Sequence, residues 1–341
     1  MSRHLLIVHP GTLGDVLLAM PAVRALRCAY PSHVIGLLAA QGIGDLLEVA
    51  GEVQAVFPIE GGVLPSLFMG AQACRGNLQR WLERCDVAVC WLHDPDRHLA
   101  STFYSFGIET TVIRSPHSFG NEPIHQTDRF VAIINDIASC PAAFNGIRLP
   151  EAVIKDGRRR LNGLRRRNGP TVMLHPGSGS PHKCTDPRVF DMVIRWCETR
   201  DVAPLIVSGP ADDETVEQLS TMVPHVPLVE GLDLIAMAGV LSQASVFIGH
   251  DSGLTHLAAL LGLPTVALFG PTDPQRWAPR GPHVRVLGGP TCLCQEWTQV
   301  RACADKPCLK IAPDRLIAVC EDLLPQMNHP PGQLVLPREL C

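Results

Sequence analysis

The chain has 341 residues, of which 46% are hydrophobic and 18% are charged, and its formal net charge at neutral pH is −4. This length and composition predict a soluble α/β protein with two domains of ordinary size. The acidic balance argues against general nucleic-acid binding, and no apolar run approaches the roughly 18 residues that a transmembrane segment needs.

Strand-like and helix-like segments alternate along the first half of the chain. The strands are predicted at 4–9, 34–39, 54–58, 86–91 and 110–113. The helices are predicted at 15–29, 43–50, 74–84 and 126–139, and Pro21 should kink or restart the first of them. Such alternation with short turns predicts a parallel sheet with helices on both faces.

A sharp change in composition near residues 150–170 marks the predicted domain boundary. Lys155 and two arginine triplets, at 158–160 and 165–167, make this segment basic. A solvated linker or short helix is the simpler interpretation, and attraction to an anionic membrane surface is the alternative. We therefore expect an N-terminal domain, a C-terminal domain and an extended Pro-rich tail over residues 1–165, 166–328 and 329–341.

The second half of the chain repeats the alternation. Its strands are predicted at 171–175, 203–208, 227–229, 245–249, 265–269 and 284–287. Its helices are predicted at 187–200, 212–223, 233–242, 253–262 and 313–325. The expected fold class is α/β, with two Rossmann-like parallel-sheet domains that face a cleft, because ligands bind at the carboxyl ends of parallel strands.

The most informative segment is 245–256, SVFIGHDSGLTH. An apolar run of β-branched residues reaches a turn with an acid, a hydroxyl, a glycine and two flanking histidines, and a helix-like run follows. The start of a helix presents free N–H groups and a partial positive charge. This strand, turn and helix therefore predict a phosphate-binding site.

Two further loops follow predicted strands in the second half. Residues 175–183 combine glycine, serine and proline with Lys183, which could neutralise a phosphate. Residues 208–214 carry acids that could hold ribose hydroxyls. Neither the G-x-G-x-x-G nor the P-loop motif follows the first strand, which weakens ordinary dinucleotide binding and ATP hydrolysis.

Asp15 ends the loop that follows the first strand of the chain. A carboxylate there could act as a general base and take a proton from an acceptor hydroxyl. It could equally complement the partial positive charge at the start of the first helix. The spacing of residues does not decide between these interpretations.

Taken together, these loops resemble glycosyltransferase family 9, the heptosyltransferases that build the inner core of bacterial lipopolysaccharide. The similarity runs from about residue 4 to about residue 325, in the family's order. Any one loop is weak support, but the ordered set is specific. Its segments are 14–22 (GDVLLAMPA), 125–129 (HQTDR), 175–178 (HPGS), 208–210 (SGP), 250–259 (HDSGLTHLAA) and 269–274 (FGPTDP).

The resemblance implies a GT-B fold, with an acceptor-binding first domain and a nucleotide-sugar-binding second domain. It also implies that the last helix, 313–325, packs back on the first domain. The implied reaction moves a heptose from ADP-L-glycero-D-manno-heptose, or a related nucleotide-sugar, to a lipopolysaccharide core precursor at the inner membrane surface. Transfer would invert the anomeric centre and require no cofactor.

Individual roles carry over onto matching positions. Asp15 matches the general base, and Lys183 matches a catalytic contact to the donor phosphates. Asp251 matches a contact to donor sugar hydroxyls, and Asp212, with Asp213 and Glu214 as competitors, matches the ribose acid. The other implied donor-binding residues are Ser178, Gly179, Ser180, Leu232, Ser252, Gly253, Leu254 and His256.

Thirteen cysteines are spread along the chain. Because no signal peptide is evident, we expect reduced thiols in a cytoplasmic protein, with peripheral attachment to the inner face of the inner membrane left open. Cys292, Cys294, Cys303 and Cys308 are close in sequence and could bind a structural zinc or iron ion. Reduced or locally paired thiols are the alternative.

Three other functions remain open on the sequence. The same fold could use another nucleotide-sugar or a protein acceptor. Preferential binding of uracil nucleotides over adenine nucleotides would indicate another nucleotide-sugar. A sugar-nucleotide epimerase of GT-B fold would release its product without an acceptor. A non-catalytic nucleotide- or metal-binding module would tolerate changes at Asp15 and Lys183.

Overall fold

The computed structural model of this chain describes residues 3–120, 122–139, 146–164, 169–209 and 213–324. The chain forms two compact units, and the first contains Met1–Pro150 together with Asp233–Ile235 and Gln275–Trp277. The second unit contains the rest of the chain. The main division therefore lies at Pro150, ahead of the predicted boundary at 165, because the helix that follows it belongs to the second unit. The predicted tail over 329–341 lies outside the described residues.

The first unit is built on a five-stranded sheet in which every pair of neighbours is parallel. Its strands are β1 (Arg3–Val8), β2 (His33–Ala39), β3 (Ala55–Pro58), β4 (Cys85–Cys90) and β5 (Thr110–Ile113), in the order β3-β2-β1-β4-β5. Leu5–Val8 of the central strand are fully buried, as expected for a parallel strand with helices on both faces. All five predicted strands of this half are confirmed within one residue or so.

The helices of the first unit include two that the sequence pattern did not predict, at 63–68 and 98–105. As predicted, the first helical segment is interrupted before Pro21, which takes the second position of the new helix, where its missing N–H is not needed. The helices are α1 (Leu13–Leu18), α2 (Met20–Ala29), α3 (Gln41–Val49), α4 (Val63–Phe68), α5 (Gly76–Leu82), α6 (His98–Ser105) and α7 (Gln126–Ile134).

The second unit carries a six-stranded parallel sheet. Its strands are β6 (Thr171–His175), β7 (Ala203–Val207), β8 (Leu228–Val229), β9 (Val246–His250), β10 (Thr265–Phe269) and β11 (Val284–Gly288), in the order β11-β10-β9-β6-β7-β8. The remaining helices of the chain are α8 (Glu151–Leu164), α9 (Arg188–Glu198), α10 (Asp213–Met222), α11 (Leu234–Leu241), α12 (Gly253–Leu260), α13 (Pro274–Trp277), α14 (Trp297–Ala302) and α15 (Pro313–Leu323). All of them belong to the second unit except the first two residues of α11 and the last three of α13, which belong to the first.

The basic segment before β6 is a helix rather than a linker over its described part. Helix α8 crosses α11 at two glycines: a Cβ atom built at Gly157 would lie 1.9 Å from the carbonyl oxygen of Gly239. Side chains on either glycine would hold the helices apart, so this contact explains why α8 joins the second unit. The arginine triplet at 165–167 lies outside the described residues.

Helix α15 packs against α9 within the second unit. Its buried side chains, Leu316, Cys320 and Leu323, join the core formed by β6, β9 and β10, and Trp196 of α9 donates a hydrogen bond to Glu321 (3.1 Å). The buried face of this helix therefore packs on the core of the second unit. No helix in the described part of the chain is long and apolar enough to span a membrane.

Candidate active site

Three loops of the second unit meet because their strands are neighbours. Strands β10, β9 and β6 lie side by side and run parallel, so the loops after residues 269, 250 and 175 leave the same edge of the sheet. The sequence segments FGPTDP, HDSGLTH and HPGSGSPHK thus come together there. This is the edge at which parallel sheets bind ligands.

Asp251 lies at the centre of these loops. Its Oδ2 atom accepts hydrogen bonds from Lys183 Nζ (2.8 Å) and from Thr272 Oγ1 (2.8 Å). His256 Nε2, one turn into α12, lies 3.8 Å from Oδ1. One residue from each loop, together with one from the helix, is therefore gathered around a single carboxylate.

The Asp251 carboxyl is a carboxylate at neutral pH in spite of its burial. Its side chain is only 10% exposed, and that of Lys183 is 21% exposed. Burial pushes the pKa of Asp251 up, but the neighbouring His256 and the charge of Lys183 outweigh it and hold the pKa below its ordinary value. The site therefore contains a fixed negative charge beside a fixed ammonium group.

Hydrogen bonds between side chains and backbone groups hold the loops after β6 and β9 together. Ser178 Oγ donates to the carbonyl oxygen of Asp251 (2.7 Å). His250 is fully buried; its Nε2 accepts from the Thr185 N–H (2.9 Å), and its Nδ1 lies 3.4 Å from the Gly177 carbonyl oxygen. Both imidazole nitrogens are thus used to join the two loops, which fixes Lys183 relative to Asp251.

Two backbone N–H groups at the start of α12 have no acceptor in the described part of the chain. Ser252 caps the helix: its Oγ accepts from the Thr255 N–H (3.4 Å) and lies 3.2 Å from His175 Nδ1. No described residue accepts a hydrogen bond from the N–H groups of Gly253 and Leu254. Such groups, with the partial charge of the helix terminus, suit a phosphate oxygen.

Among the described residues, the other predicted donor-binding positions Gly179, Ser180 and Leu232 make no hydrogen bond to Asp251. Gly179 is exposed, and Ser180 caps the short turn Pro181–Lys183 by accepting from the His182 N–H (3.4 Å). Leu232 is half-buried just before α11. Asp212 lies outside the described residues, whereas its competitor Glu214 is exposed in the first turn of α10.

Four residues of the loop network were not assigned a role from the sequence: Thr272, His250, Thr185 and His175. Thr272 and His250 fall within segments that resemble the family, so their presence near the site had a signal. No sequence pattern indicated Thr185, because its side chain does not enter the site. Its backbone N–H donates to His250, and its hydroxyl donates to the carbonyl oxygen of Leu309 (2.7 Å).

Asp15 belongs to the first unit, in the first turn of α1. The N–H and Oγ1–H of Thr12 both donate to its Oδ2 atom, at 3.1 Å and 2.8 Å. No described residue donates to Oδ1, and the side chain is only partly buried. The two interpretations of Asp15 are therefore compatible: one oxygen stabilises the helix start, and the other is available to a substrate.

Comparison with known proteins identifies the family. Residues 144–307 match the sequence model of glycosyltransferase family 9 (heptosyltransferase). The chain is 36% identical over 297 residues to lipopolysaccharide heptosyltransferase 1 of Pseudomonas aeruginosa, covering 79% of this chain and 79% of that protein. The chain belongs to glycosyltransferase family 9.

Solved structures show the fold that this family 9 chain shares. A family 9 glycosyltransferase from Veillonella parvula has a TM-score of 0.77 at 19% identity, covering 95% of this chain and 98% of that one. The ADP-heptose lipopolysaccharide heptosyltransferase II of E. coli has a TM-score of 0.74 at 19% identity, covering 95% and 99%. The expected GT-B class, with two Rossmann-like α/β units, is confirmed.

The four cysteines of the predicted metal site in this glycosyltransferase lie near one another. Among the described residues, which include Cys292, Cys294, Cys303 and Cys308, no three His, Cys, Asp or Glu side chains converge as a metal ion requires. Burial of the thiol, and after it the neighbouring Cys292, raises the pKa of Cys308 to about 11. The thiols therefore affect one another. All four are free thiols, and a structural zinc or iron ion at these residues stays a prediction.

Proposed function

We propose that this family 9 enzyme transfers heptose from ADP-L-glycero-D-manno-heptose to a lipopolysaccharide core precursor, with inversion at the anomeric carbon. The observation that carries the proposal is the Asp251 cluster at the start of α12. It combines an ammonium group, a carboxylate and two unused N–H groups. These are the groups that a nucleotide diphosphate and a sugar with several hydroxyls need for binding.

In the proposed donor complex, the diphosphate takes the N–H groups of Gly253 and Leu254 and the ammonium group of Lys183. The Asp251 carboxylate accepts hydrogen bonds from donor sugar hydroxyls through its Oδ1 side. The naming of the E. coli relative as an ADP-heptose enzyme supports adenine and heptose as parts of the donor. The name of the P. aeruginosa relative supports a lipopolysaccharide acceptor.

Asp15 is the proposed base. The acceptor oxygen attacks the anomeric carbon as Asp15 Oδ1 takes its proton, and the bond between that carbon and the phosphate oxygen breaks with its electrons going to ADP. A single displacement of this kind inverts the anomeric centre. Lys183 and the start of α12 stabilise the negative charge that develops on the leaving diphosphate.

The same groups make a metal unnecessary in this proposal. The charge that a divalent cation would neutralise is met by Lys183 and by the two N–H groups of α12. Undiminished heptose transfer in the presence of EDTA is the expected result. Loss of transfer that returns on adding Mg²⁺ or Mn²⁺ would contradict metal independence.

A thermal-shift titration tests the donor. Ligands that bind the native protein raise its apparent stability by RT ln(1 + [L]/Kd). We expect ADP and ADP-heptose to stabilise the protein, and UDP, UDP-GlcNAc and NAD to have little effect. Lys183→Met should abolish most of the ADP shift, and Lys155→Met, which removes an exposed lysine of α8, is the matched control. Selective stabilisation by UDP compounds would overturn the proposed donor.

The base is tested by Asp15→Asn, which keeps the shape and loses the proton acceptor. We expect turnover to fall by about 10²–10⁴-fold, with the ADP thermal shift unchanged. Asp45→Asn is the matched control, because Asp45 also accepts a local hydrogen bond near a helix start, from Gln41 (2.8 Å). Wild-type turnover in Asp15→Asn would remove Asp15 from the chemistry.

A further inference from the structure

His9 lies immediately after β1 and is buried beneath the loop that carries Asp15. Its side chain is 3% exposed and packs against two aromatic rings, Trp91 and Phe130, at centroid distances of 5.4 Å and 5.2 Å. Burial lowers the pKa of His9 to about 4, although the charge of Asp15 opposes this shift. The imidazole is therefore neutral at physiological pH, so one of its nitrogens can accept a hydrogen bond.

The accepting nitrogen is Nδ1, which receives the Gly11 N–H at 3.1 Å. In the neutral ring the proton then lies on Nε2, a buried atom that makes no hydrogen bond of normal geometry to any described residue. A buried donor without an acceptor has an energetic cost that a residue serving only to fill space would not incur. Phenylalanine would fill the same place between Trp91 and Phe130 without burying an N–H group that lacks an acceptor.

The contact between His9 and Gly11 continues to Asp15. A Cβ atom built at Gly11 would lie 2.7 Å from His9 Cε1 and 2.8 Å from Asp15 Cβ. The backbone of Gly11 is thus enclosed between the imidazole ring and the Asp15 side chain. The next residue, Thr12, donates its N–H and its hydroxyl to Asp15 Oδ2.

We propose that His9 is a positioning residue for Asp15: by accepting the Gly11 N–H it fixes the loop that directs Asp15 Oδ1 towards the acceptor hydroxyl. The inference rests on the proposed role of Asp15 as the base. Its physical reason is the sensitivity of proton transfer to geometry, since a displacement of about 1 Å can lower a rate about 100-fold. His9 touches neither substrate in this role.

Two substitutions separate positioning from packing. His9→Phe keeps an aromatic ring beside Trp91 and Phe130 but removes the acceptor for Gly11. His9→Asn leaves space beside those rings, but its side-chain oxygen can take the place of Nδ1 as the acceptor. A purely structural role predicts that activity follows ring volume, whereas positioning predicts that activity follows the acceptor.

The assay is steady-state heptose transfer from ADP-heptose, with folding of each variant checked by circular dichroism. In His9→Phe, kcat should fall about tenfold to 100-fold with KM for the donor unchanged. His9→Asn should retain most of the wild-type kcat while melting at a lower temperature. A wild-type kcat in His9→Phe, or an equal loss in both variants, would overturn the inference.

The failure of this inference can be told apart from the failure of the proposed function. Wild-type turnover in Asp15→Asn would overturn the base and this inference with it, whereas loss in Asp15→Asn with full turnover in His9→Phe overturns the inference alone. Amide hydrogen exchange gives a readout that does not depend on activity. Exchange at Gly11 should be faster in His9→Phe and close to wild type in His9→Asn, and unchanged exchange in His9→Phe would contradict the hydrogen bond.

Discussion

The ion pair between Lys183 and Asp251 should stabilise the second unit as well as bind substrate, and Lys183→Met measures that contribution. Lys183 Nζ lies 2.8 Å from Asp251 Oδ2, and the two side chains are only 21% and 10% exposed. Methionine keeps most of the length of the side chain and removes the ammonium group. The Asp251 carboxylate then stays buried without its nearest cation.

The expected loss follows from this burial. Removing one partner of a buried ion pair costs about 3–5 kcal/mol, because the remaining charge is still desolvated. Lys183 is partly exposed and Thr272 continues to donate to Asp251, so we expect the lower end, about 3 kcal/mol. At about 2–4 °C per kcal/mol for a unit of this size, the melting temperature at pH 7 should fall by about 6–12 °C.

The loss should also depend on pH in a defined direction. In the wild type the pKa of Asp251 is lowered by folding, so its contribution to stability is present above the unfolded pKa of about 3.9 and is lost as pH falls through the folded pKa. Without Lys183, burial is less opposed and the pKa of the Asp251 carboxyl rises. The variant therefore takes up a proton at a higher pH than the wild type does. The difference in stability between variant and wild type should narrow as the pH falls through the raised pKa of the variant towards the lower pKa of the wild type.

Scanning calorimetry of the wild type, Lys183→Met, Asp251→Asn and the double variant forms the assay, since the double-mutant cycle isolates the coupling between the two residues. Lys155→Met is the control, because its pair with Glu151 is exposed and should matter by less than about 0.5 kcal/mol. An unchanged melting temperature in Lys183→Met, additive effects in the double variant, or a loss that does not vary with pH would refute the reasoning.

Three further predictions concern packing and hydrogen bonds. Arg129 is fully buried, and its hydrogen bonds to described residues all go to backbone carbonyl groups. Arg129→Lys, which cannot reproduce the planar guanidinium fork, should therefore lower the free energy of unfolding in urea by about 3 kcal/mol. A change below about 1 kcal/mol would contradict this account. Gly157→Ala should destabilise the protein by about 1–3 kcal/mol, because the added Cβ meets the backbone of α11. Gly163→Ala, on the exposed face of the same helix, is the control and should be neutral or stabilising. Equal melting temperatures for the two variants would contradict the close contact between α8 and α11. Thr272→Val removes one hydrogen bond to the Asp251 carboxylate. In thermal unfolding the free energy of unfolding should fall by about 1.5 kcal/mol, and ADP should bind more weakly. An unchanged stability together with an unchanged affinity for ADP would exclude Thr272 from the site.

The sequence alone determined most of the secondary structure and singled out the segments whose loops meet around Asp251. Hydrophobic runs bounded by glycine and proline mark the strands, because a strand buried on both faces needs a continuous apolar stretch. The segment around Asp251 could be recognised because a phosphate site at a helix start needs a small set of residues that are adjacent in the chain. Helices α4, α6, α13 and α14 were not predicted, because a helix of eight residues or fewer has few turns in which to show a helical pattern.

Only the tertiary structure decided which distant residues meet. Asp251 is bonded to Lys183 and Thr272, which lie in two other loops, and that grouping follows from the strand order β10-β9-β6 rather than from any local pattern. The same holds for α8 and α15, whose amphipathic sequences predict a buried face but not its partner. Local propensity acts over a few residues, whereas the choice of partner depends on how the strands are ordered and on which surfaces fit, such as the two glycines where α8 crosses α11.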